Sequence, residues 1–227
     1  MGTLFIVATP IGNLKDITMR AIEVLKIADY ILCEDTRVTG RLLHTYQIDK
    51  NMISFNDFNE EARIPQVLSD LGADKNIALV SDAGTPLISD PGFKLVRAAA
   101  KAGIRVESIP GPTAVIAALT VSGFPPDKFL FVGYPPKKEA KKKELFKKIK
   151  ANNEKMTATA VLYESPHRAV KTLNTIKEVF GDIDACVSRE LTKVHEEIIR
   201  GKISEIISRF SENKPKGELV IVLGKQP

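Results

Sequence analysis

One loop concentrates residues that could bind a polar ligand. It occupies residues 81–92 (SDAGTPLISDPG), between an apolar strand pattern and an apolar helical pattern. It therefore lies at the carboxyl end of a predicted strand, where open α/β sheets bind their ligands. Asp82 and Asp90 can accept hydrogen bonds from amines or hydroxyls, and Gly84 and Gly92 permit positive φ or close backbone approach. A plain connection usually takes about two to six residues, so the loop indicates a binding site. The alternative is a long connection in which Asp90 caps the next helix.

The commoner nucleotide-binding loops do not occur in the sequence. The first predicted strand is not followed by G-x-G-x-x-G, and there is no G-x-x-x-x-G-K-[ST]. Four predicted strand ends are instead rich in Pro, Gly, Asp and Thr, whose backbone groups can surround a polar small molecule. These residues do not by themselves identify the ligand.

Strand and helix patterns alternate along the chain, which predicts a parallel sheet with helices on its faces in the first half. Strands are predicted at 4–8, 30–33, 52–54, 77–80 and 106–109, and then at 129–132, 158–163, 185–188, 198–201 and 217–223. Two prolines and a glycine at 122–126 interrupt the pattern. We therefore predict two α/β domains, residues 1–121 and 122–227.

The positive charge is concentrated in one segment. The net charge of the 227 residues is +5, and residues 137–150 contain eight lysines against two glutamates. The segment is predicted to be a helix that docks through a narrow apolar face of Leu145, Phe146 and Ile149 and leaves its lysines outward. Such lysines can contact RNA phosphates, and the alternative is a solvated helix face.

Several classes of protein and site are not favoured. Two cysteines and three histidines are scattered without zinc-ligand spacing, so we expect reduced core cysteines and no metal. No apolar run is long enough to span a membrane, and no leader pattern opens the chain. We therefore expect a cytoplasmic protein.

Short motifs along the chain resemble, in order, those of the tetrapyrrole methylase superfamily. Within it they are most similar to the branch that methylates small-subunit ribosomal RNA. Besides the loop at 81–92, the matching stretches are Ala8–Leu14 with Asp16–Thr18, Glu34–Arg37, Pro110–Ala114, Tyr163–Arg168, Arg189–Lys193 with His195–Glu196, and Gly217–Glu218. Each stretch alone is a weak signal, whereas the ordered set covers nearly the whole chain.

The resemblance implies two α/β domains of the tetrapyrrole methylase type, with S-adenosylmethionine folded in the cleft between them. The positions that match the family's cofactor-binding residues are Pro10, Ile11, Ser81, Asp82, Ala83, Gly84, Ile88, Thr113, Ala114, Tyr163, Leu191 and Glu218. For Ile88, Ala114 and Leu191, packing in the core is an equally simple explanation, because apolar residues are usually buried.

The resemblance also implies 2′-O-methylation of a cytidine ribose in the decoding region of 16S rRNA, by a homodimer. A ribose hydroxyl is a poor nucleophile, so a base or a group that stabilises the alkoxide should help. The matching motifs contain the candidates Glu34, Asp35, Arg37, His167, Arg168 and Lys193, with Glu164, Glu190 and His195 beside them. We predict that Arg37 and Arg168 bind RNA phosphate, and no residue is singled out as the base.

Structural explanations exist for these candidates as well. Arg37 can pair with Glu34 or Asp35, His167 can pack at a helix start, and Lys193 can be solvated. Two other functions also fit the sequence: a methylase of tetrapyrroles on the same fold, and an RNA-binding protein without catalysis. Family members often carry a further helical domain after the last strand, and its absence up to Pro227 leads us to question how much RNA affinity remains.

Overall fold

The computed structural model describes residues 1–155 and 157–224, and the chain divides into two compact units. The first is Met1–Thr113 and the second is Ala114–Pro227. The sequence predicts a boundary between residues 121 and 122, at the end of a helix. The division lies before that helix, Ala114–Ser122, because the helix packs against strands of the second unit.

The first unit alternates strands and helices. Its elements are β1 (Thr3–Val7), α1 (Met19–Ile27), β2 (Tyr30–Cys33), α2 (Thr36–Thr45), β3 (Met52–Ser54), α3 (Glu60–Gly72), β4 (Ile77–Val80), α4 (Phe93–Lys101) and β5 (Arg105–Ile109). Sequence reasoning missed α2, whose threonines, glycine and histidine have low helix propensity. The side chain of Asp35 caps this helix by accepting from the N–H of Arg37, and Leu42 and Leu43 are buried. Packing and capping therefore outweigh propensity here.

The five strands form a parallel sheet in the order β3-β2-β4-β1-β5. Alternate residues of β1 face two different cores. Phe5 and Val7 share a core with α1 and α2, whereas Leu4 and Ile6 share a core with α3 and α4. The connections that leave the neighbouring strands β1 and β4 thus run to opposite faces of the sheet. A crevice forms at the carboxyl ends of strands at such a switch point, which places the candidate site of this unit there.

The second unit contains a mixed sheet and four helices in its described residues. The elements are α5 (Ala114–Ser122), β6 (Phe129–Phe131), α6 (Glu139–Lys155), β7 (Thr159–Glu164), α7 (Ala169–Phe180), β8 (Asp184–Arg189), β9 (Glu197–Lys202), α8 (Ile203–Glu212) and β10 (Leu219–Leu223). The strand order is β6-β7-β10-β8-β9, with β6 and β7 parallel and the other neighbours antiparallel. Helix α5 packs against β7, β8 and β10, and α6, α7 and α8 share one core with the sheet. The prediction of two α/β domains is confirmed.

Helix α6 carries the lysine-rich segment, and its apolar side docks as predicted, with Phe146 and Ile149 buried. The prediction that its lysines point outward is wrong for Lys142, whose side chain is only 1% exposed. Its Nζ lies 3.4 Å from Oε2 of Glu139, and this pairing offsets the unfavourable burial of an ammonium group. Glu139 also accepts a hydrogen bond from Thr175 on α7, so this part of α6 is tied to its neighbour.

Cys33 and Cys186 are both free and buried, which confirms the prediction of unpaired core cysteines. Burial raises the pKa of both thiols, so neither is activated as a nucleophile. Across residues 1–155 and 157–224, the structure contains no helix with the length and apolar character needed to span a membrane.

Candidate functional site

Backbone hydrogen bonds join the loops that follow β1 and β4. The N–H of Thr9 donates to the carbonyl of Gly84 at 2.9 Å, and the N–H of Gly84 donates to the carbonyl of Thr9 at 3.1 Å. Two buried hydroxyls add to this junction. Thr9 Oγ1 donates to the carbonyl of Ser81, and Ser81 Oγ donates to the carbonyl of Gly84, each at 3.0 Å. Because these polar groups are satisfied within the protein, the two loops hold a fixed conformation.

The position of Gly84 requires glycine. Its φ is +90°, a conformation that L side chains rarely adopt. A Cβ atom there would lie 3.1 Å from Cγ2 of Ile11 and 3.5 Å from the carbonyl oxygen of Pro112. That carbonyl is held in place, since it accepts a hydrogen bond from Thr85 Oγ1 at 3.0 Å. Ile11, Gly84 and the backbone of Thr113 therefore converge, and all three match the family's cofactor-binding positions.

Exposure favours a ligand role for Ile88 over core packing. Its side chain belongs to the same loop, and the residue is 39% exposed. The flanking residues Leu87 and Ser89 adopt positive φ values of 72° and 70°, a conformation that costs a non-glycine residue about 1–2 kcal/mol. Such strain is maintained at sites that hold ligands. The loop therefore offers an exposed aliphatic side chain at Ile88, a carboxylate at Asp82 and close backbone approach at Gly84.

Asp90 does not cap α4, contrary to the alternative considered from the sequence. The buried carboxylate of Glu60 does so, because its Oε1 accepts from the N–H of Gly92 at 3.1 Å and from the N–H of Lys94 at 3.2 Å. Asp90 instead lies near Ser81, whose hydroxyl opposes the rise in the pKa of this carboxyl. Burial, followed by the charges of nearby carboxylates, raises the pKa of Asp90 to about 6.

Carboxylates from neighbouring strand ends line a cavity of about 430 Å³. Residues that follow β2, β3 and β4 form its wall: Glu34, Asp35, Arg37, Asn56, Asp57, Phe58 and Asp82. The N–H of Asp35 donates to Oδ1 of Asp82 at 3.1 Å, so the loops after β2 and β4 are fixed to each other. The volume lies within the range of small-molecule sites.

The acidic residues of this cavity differ in proton affinity. Burial raises the pKa of Glu34, and the charges of Asp82, Asp57 and Asp35 raise it further. Burial also raises the pKa of Asp82. The pKa of Asp35 is lowered to about 2, chiefly by the hydrogen bond from Arg37, whose Nη2 lies 2.6 Å from Oδ2. Asp35 is therefore a weak base, and Glu34 is the better proton acceptor.

In the second unit, the motif after β7 is organised by the buried carboxylate of Glu164. It accepts from Oγ1 of Thr172 at 2.5 Å and from the N–H of Ser165 at 2.7 Å, and Nε of Arg168 lies 3.3 Å away. Nη2 of Arg168 also donates to the carbonyl of Pro135 at 2.5 Å. Arg168 is thus engaged by its own unit, whereas the guanidinium of Arg37 in the first unit is 86% exposed.

The loop after β8 holds Lys193 between two carboxylates. Its Nζ lies 3.0 Å from Oε1 of Glu190 and 3.0 Å from Oε2 of Glu218. Burial lowers the pKa of Lys193, but the hydrogen bonds to Glu190 and Glu218 outweigh it, so the pKa is raised. Lys193 remains a cation and cannot serve as the base. Glu190 and Thr192 adopt positive φ, and a Cβ on Gly217 would overlap the side chain of Glu190, so this loop is tightly constrained.

The other predicted site residues fall into three groups by exposure. Pro10, Ile11, Ser81 and Leu191 are buried; Thr113, Ala114 and Tyr163 are half-buried; Ala83, His167, His195 and Glu218 are exposed. For Leu191, burial agrees with the core-packing alternative. The ring of Tyr163 packs edge-on against that of Phe131, with 5.0 Å between their centroids.

Sequence reasoning missed Asp57 and Phe58, which come after β3. The signal was available, because β3 pairs in parallel with β2 and a parallel strand presents its carboxyl end at the ligand edge. The three residues of β3 gave too weak a pattern to draw attention to the loop beyond them. Phe58 is fully exposed, and it stands on the rim of the carboxylate-lined cavity.

Comparison with known proteins supports one family. A sequence model of the tetrapyrrole (corrin/porphyrin) methylases matches residues 3–207. A protein of Thermotoga maritima named ribosomal RNA small subunit methyltransferase I is 48% identical over 227 residues, the full length of both chains. A Bacillus subtilis protein of the same name is 43% identical over 223 residues, covering 98% of this chain and 75% of the relative.

A solved structure shows the same fold at low sequence identity. It is a uroporphyrin-III-C-methyltransferase from Thermus thermophilus, with a TM-score of 0.64, 18% identity and coverage of 99% of this chain and 92% of that one. The resemblance inferred from the sequence motifs is confirmed. The chain belongs to the tetrapyrrole methylase family and, within it, to the group of proteins named ribosomal RNA small subunit methyltransferase I.

Proposed function

We propose that the protein transfers a methyl group from S-adenosylmethionine to the 2′-hydroxyl of a cytidine ribose in the decoding region of 16S rRNA. One observation carries the proposal. At the carboxyl ends of the parallel strands, the closely packed backbone at Gly84 lies beside carboxylates that line a cavity of about 430 Å³. The names of relatives that are 43–48% identical over nearly the whole chain support the choice of RNA as substrate.

Residues of the first unit hold the cofactor in this proposal. S-adenosylmethionine supplies a methyl group on a sulfonium, which becomes a neutral thioether. Asp82 accepts hydrogen bonds from the cationic amino end, and the backbone at Ala83 and Gly84 permits close approach. Ile11 and Ile88 provide apolar lining. Because Thr9, Ser81 and Gly84 are mutually hydrogen-bonded, these groups are positioned before binding, which reduces the ordering needed at that step.

The same unit contains the candidate base and the candidate phosphate contact. Glu34 accepts the proton of the ribose hydroxyl, since its carboxylate has a raised pKa and general bases work best when their pKa approaches the ambient pH. Arg37 holds an RNA phosphate. Its guanidinium pairs with Asp35 and remains 86% exposed, so it is oriented and accessible for a bidentate contact.

Residues of the second unit have supporting roles in this proposal. Lys193, held as a cation by Glu190 and Glu218, stabilises negative charge that develops on the ribose oxygen. Tyr163 and Leu191 are predicted to pack around the adenosine with Glu218 nearby, and Ala114 is predicted to contact the cofactor. The homodimer and the cytoplasmic location implied by the family remain predictions, and sedimentation of the purified protein tests the first of them.

The test compares three substrates in the presence of labelled S-adenosylmethionine. We expect calorimetry to show cofactor binding, and label to enter 16S rRNA in small ribosomal subunits that lack the modification. A precorrin-type tetrapyrrole should remain unlabelled. Label in the tetrapyrrole alone would assign the protein to small-molecule methylation. Binding of RNA without binding of cofactor would assign it to a noncatalytic role.

A further inference from the structure

A second cavity, of about 310 Å³, lies in the second unit and contains none of the predicted site residues. Its wall includes Arg189 at the end of β8, Glu197 at the start of β9, Arg209 and Phe210 on α8, and Lys214 and Lys216 in the segment that leads to β10. It therefore gathers side chains from four consecutive parts of the chain around one opening.

The charge of this cavity is strongly unbalanced. Its lining contains two arginines, two lysines and one acidic residue, Glu197. Nε of Arg189 lies 3.0 Å from Oε2 of Glu197, and Nη2 of Arg209 pairs with its Oε1. A single carboxylate cannot neutralise four cations, so the cavity keeps an excess of positive charge that attracts an anion.

The guanidinium groups of Arg189 and Arg209 are held in place by hydrogen bonds that use only some of their N–H donors. Glu197 binds one edge of each, and Nη1 of Arg189 also donates to the carbonyl of Lys216 at 3.2 Å. Each guanidinium carries five N–H donors, and these bonds use only part of that number. Arg189 is largely covered, with 20% of its side chain exposed, whereas 57% of the Arg209 side chain is exposed. A partly buried and oriented guanidinium suits phosphate better than a mobile surface lysine does.

We propose that this cavity binds a phosphate of the RNA backbone. The inference rests on the proposed function, since it takes RNA as the substrate. Arg189 directly precedes Glu190, and Lys216 lies two residues before Glu218, so the cavity adjoins the loop that holds Lys193. A phosphate bound here positions the RNA strand along that loop. This contact recognises the charge of the phosphate and does not depend on the base sequence.

The experiment measures affinity for unmodified 16S rRNA across a salt series. The test variant is Arg209→Gln/Lys214→Gln, because Glu197 keeps Arg189 as a partner when Arg209 is changed. The matched control is Arg97→Gln/Lys101→Gln on α4, which removes the same charges from exposed positions that make no ion pair with any residue in the described part of the chain. Two lost phosphate contacts should flatten the log–log salt slope by about 1.4. The affinity ratio of wild type to variant should therefore grow about 25-fold between 1 M and 0.1 M salt.

Each outcome decides the matter. A flattened slope in the test variant, with the wild-type slope in the control, supports the proposal, and Lys214→Gln/Lys216→Gln should reproduce it if the first variant unfolds. Equal salt slopes in the test and control variants would overturn the proposal for this cavity, although the protein would still be an rRNA-binding protein. Titration with inorganic phosphate distinguishes an RNA phosphate from a free anion. Saturation by free phosphate, with an unchanged salt slope for RNA binding in the test variant, would make this a site for a small anion. If wild type binds no rRNA, the proposed function itself fails.

Discussion

The backbone N–H of Asp35 donates to Oδ1 of Asp82 at 3.1 Å, which fixes the end of β2 to the loop after β4. The two aspartates belong to different motifs, one matched to catalysis and the other to cofactor binding. Their hydrogen bond lowers the pKa of Asp82, but burial raises it by more. The loop that is predicted to bind the cofactor and the candidate catalytic carboxylates therefore form one connected structure, and a change in either is expected to affect the other.

Gly84→Ala is expected to weaken binding of S-adenosylmethionine by tenfold or more, which is about 1.4 kcal/mol. The added Cβ would press on Ile11 at 3.1 Å and would disturb the junction with Thr9. Gly103→Ala is the matched control. Gly103 also has a positive φ, of +70°, but among the described residues nothing lies within 4 Å of its Cβ position. Calorimetry on both variants distinguishes an effect of backbone strain from loss of the close packing around Gly84. Equal affinities of the two variants for S-adenosylmethionine would refute the role of Gly84.

The sequence predicts the same phosphate-binding role for Arg37 and Arg168, but the structure gives the two arginines different surroundings. Arg37 is exposed and pairs with the half-buried Asp35, and an exposed ion pair contributes little, so removal of Arg37 should change stability only slightly. It should lower kcat/KM roughly 10- to 100-fold through loss of a charged hydrogen bond, with cofactor affinity retained. Arg168→Ala leaves the buried carboxylate of Glu164 without its cation and should cost about 2 kcal/mol of stability.

Urea unfolding and steady-state kinetics on both arginine variants check these expectations. Loss of cofactor affinity in Arg37→Ala equal to its loss of turnover would contradict the assignment to RNA. An Arg168→Ala protein as stable as wild type would show that the Glu164 cluster tolerates an unpaired charge.

The lysine-rich segment 137–150 is expected to bind rRNA through exposed lysines, two just before α6 and two within it, that make no ion pair with any described residue. They are Lys137, Lys138, Lys141 and Lys147. Replacing these four by Gln should flatten the log–log salt slope for rRNA binding by about 3, while the methylated nucleotide stays the same. Lys142→Gln is the contrasting variant. Because that side chain is buried, its replacement should lower stability without a comparable change of slope. A wild-type slope in the quadruple variant would assign these lysines to solubility alone.

Asp90→Asn tests the carboxyl group whose pKa is raised to about 6 from 3.8. The folded state binds this proton more tightly than the unfolded state, so the group's stabilising contribution is complete below about pH 4 and is lost as pH rises through about 6. The gain in the free energy of unfolding from Asp90→Asn should therefore grow between pH 4 and pH 7. Asp49→Asn makes the same charge change at an exposed position and serves as the control. A gain that does not vary with pH would contradict the shifted pKa.

Much of the fold was predictable from local pattern. Strands β2, β3 and β4 were placed at their observed residues, because short apolar runs between turn residues are typical of buried strands. The helix α2 was missed because its formation depends on the Asp35 cap and on burial of Leu42 and Leu43, which only the assembled unit supplies.

The residues of the candidate site were largely predictable from the sequence, whereas the contacts between them were not. The motifs at the strand ends identified Glu34, Asp82 and Lys193 as candidates. No local sequence rule, however, identifies the partner of a charged residue on a neighbouring strand. Asp57 joins Glu34 through the parallel pairing of β2 and β3, and Glu218 meets Lys193 through the pairing of β8 and β10. The burial of Lys142 was hidden for a different reason. Its counter-charge, Glu139, lies three residues earlier on the same helix, but the side chain is covered only because α6 packs against its neighbours.

The central claim is ribose methylation of 16S rRNA, and nucleoside mass mapping tests it most directly. Small subunits that lack the modification are incubated with the protein and S-adenosylmethionine, and the rRNA is then digested and mapped. We predict one new 2′-O-methylcytidine in the decoding region with wild type and Gly103→Ala, and a strongly reduced yield with Gly84→Ala. A methyl group on a base, a methylated ribose outside the decoding region, or unmodified rRNA from a protein that binds the cofactor would contradict the account.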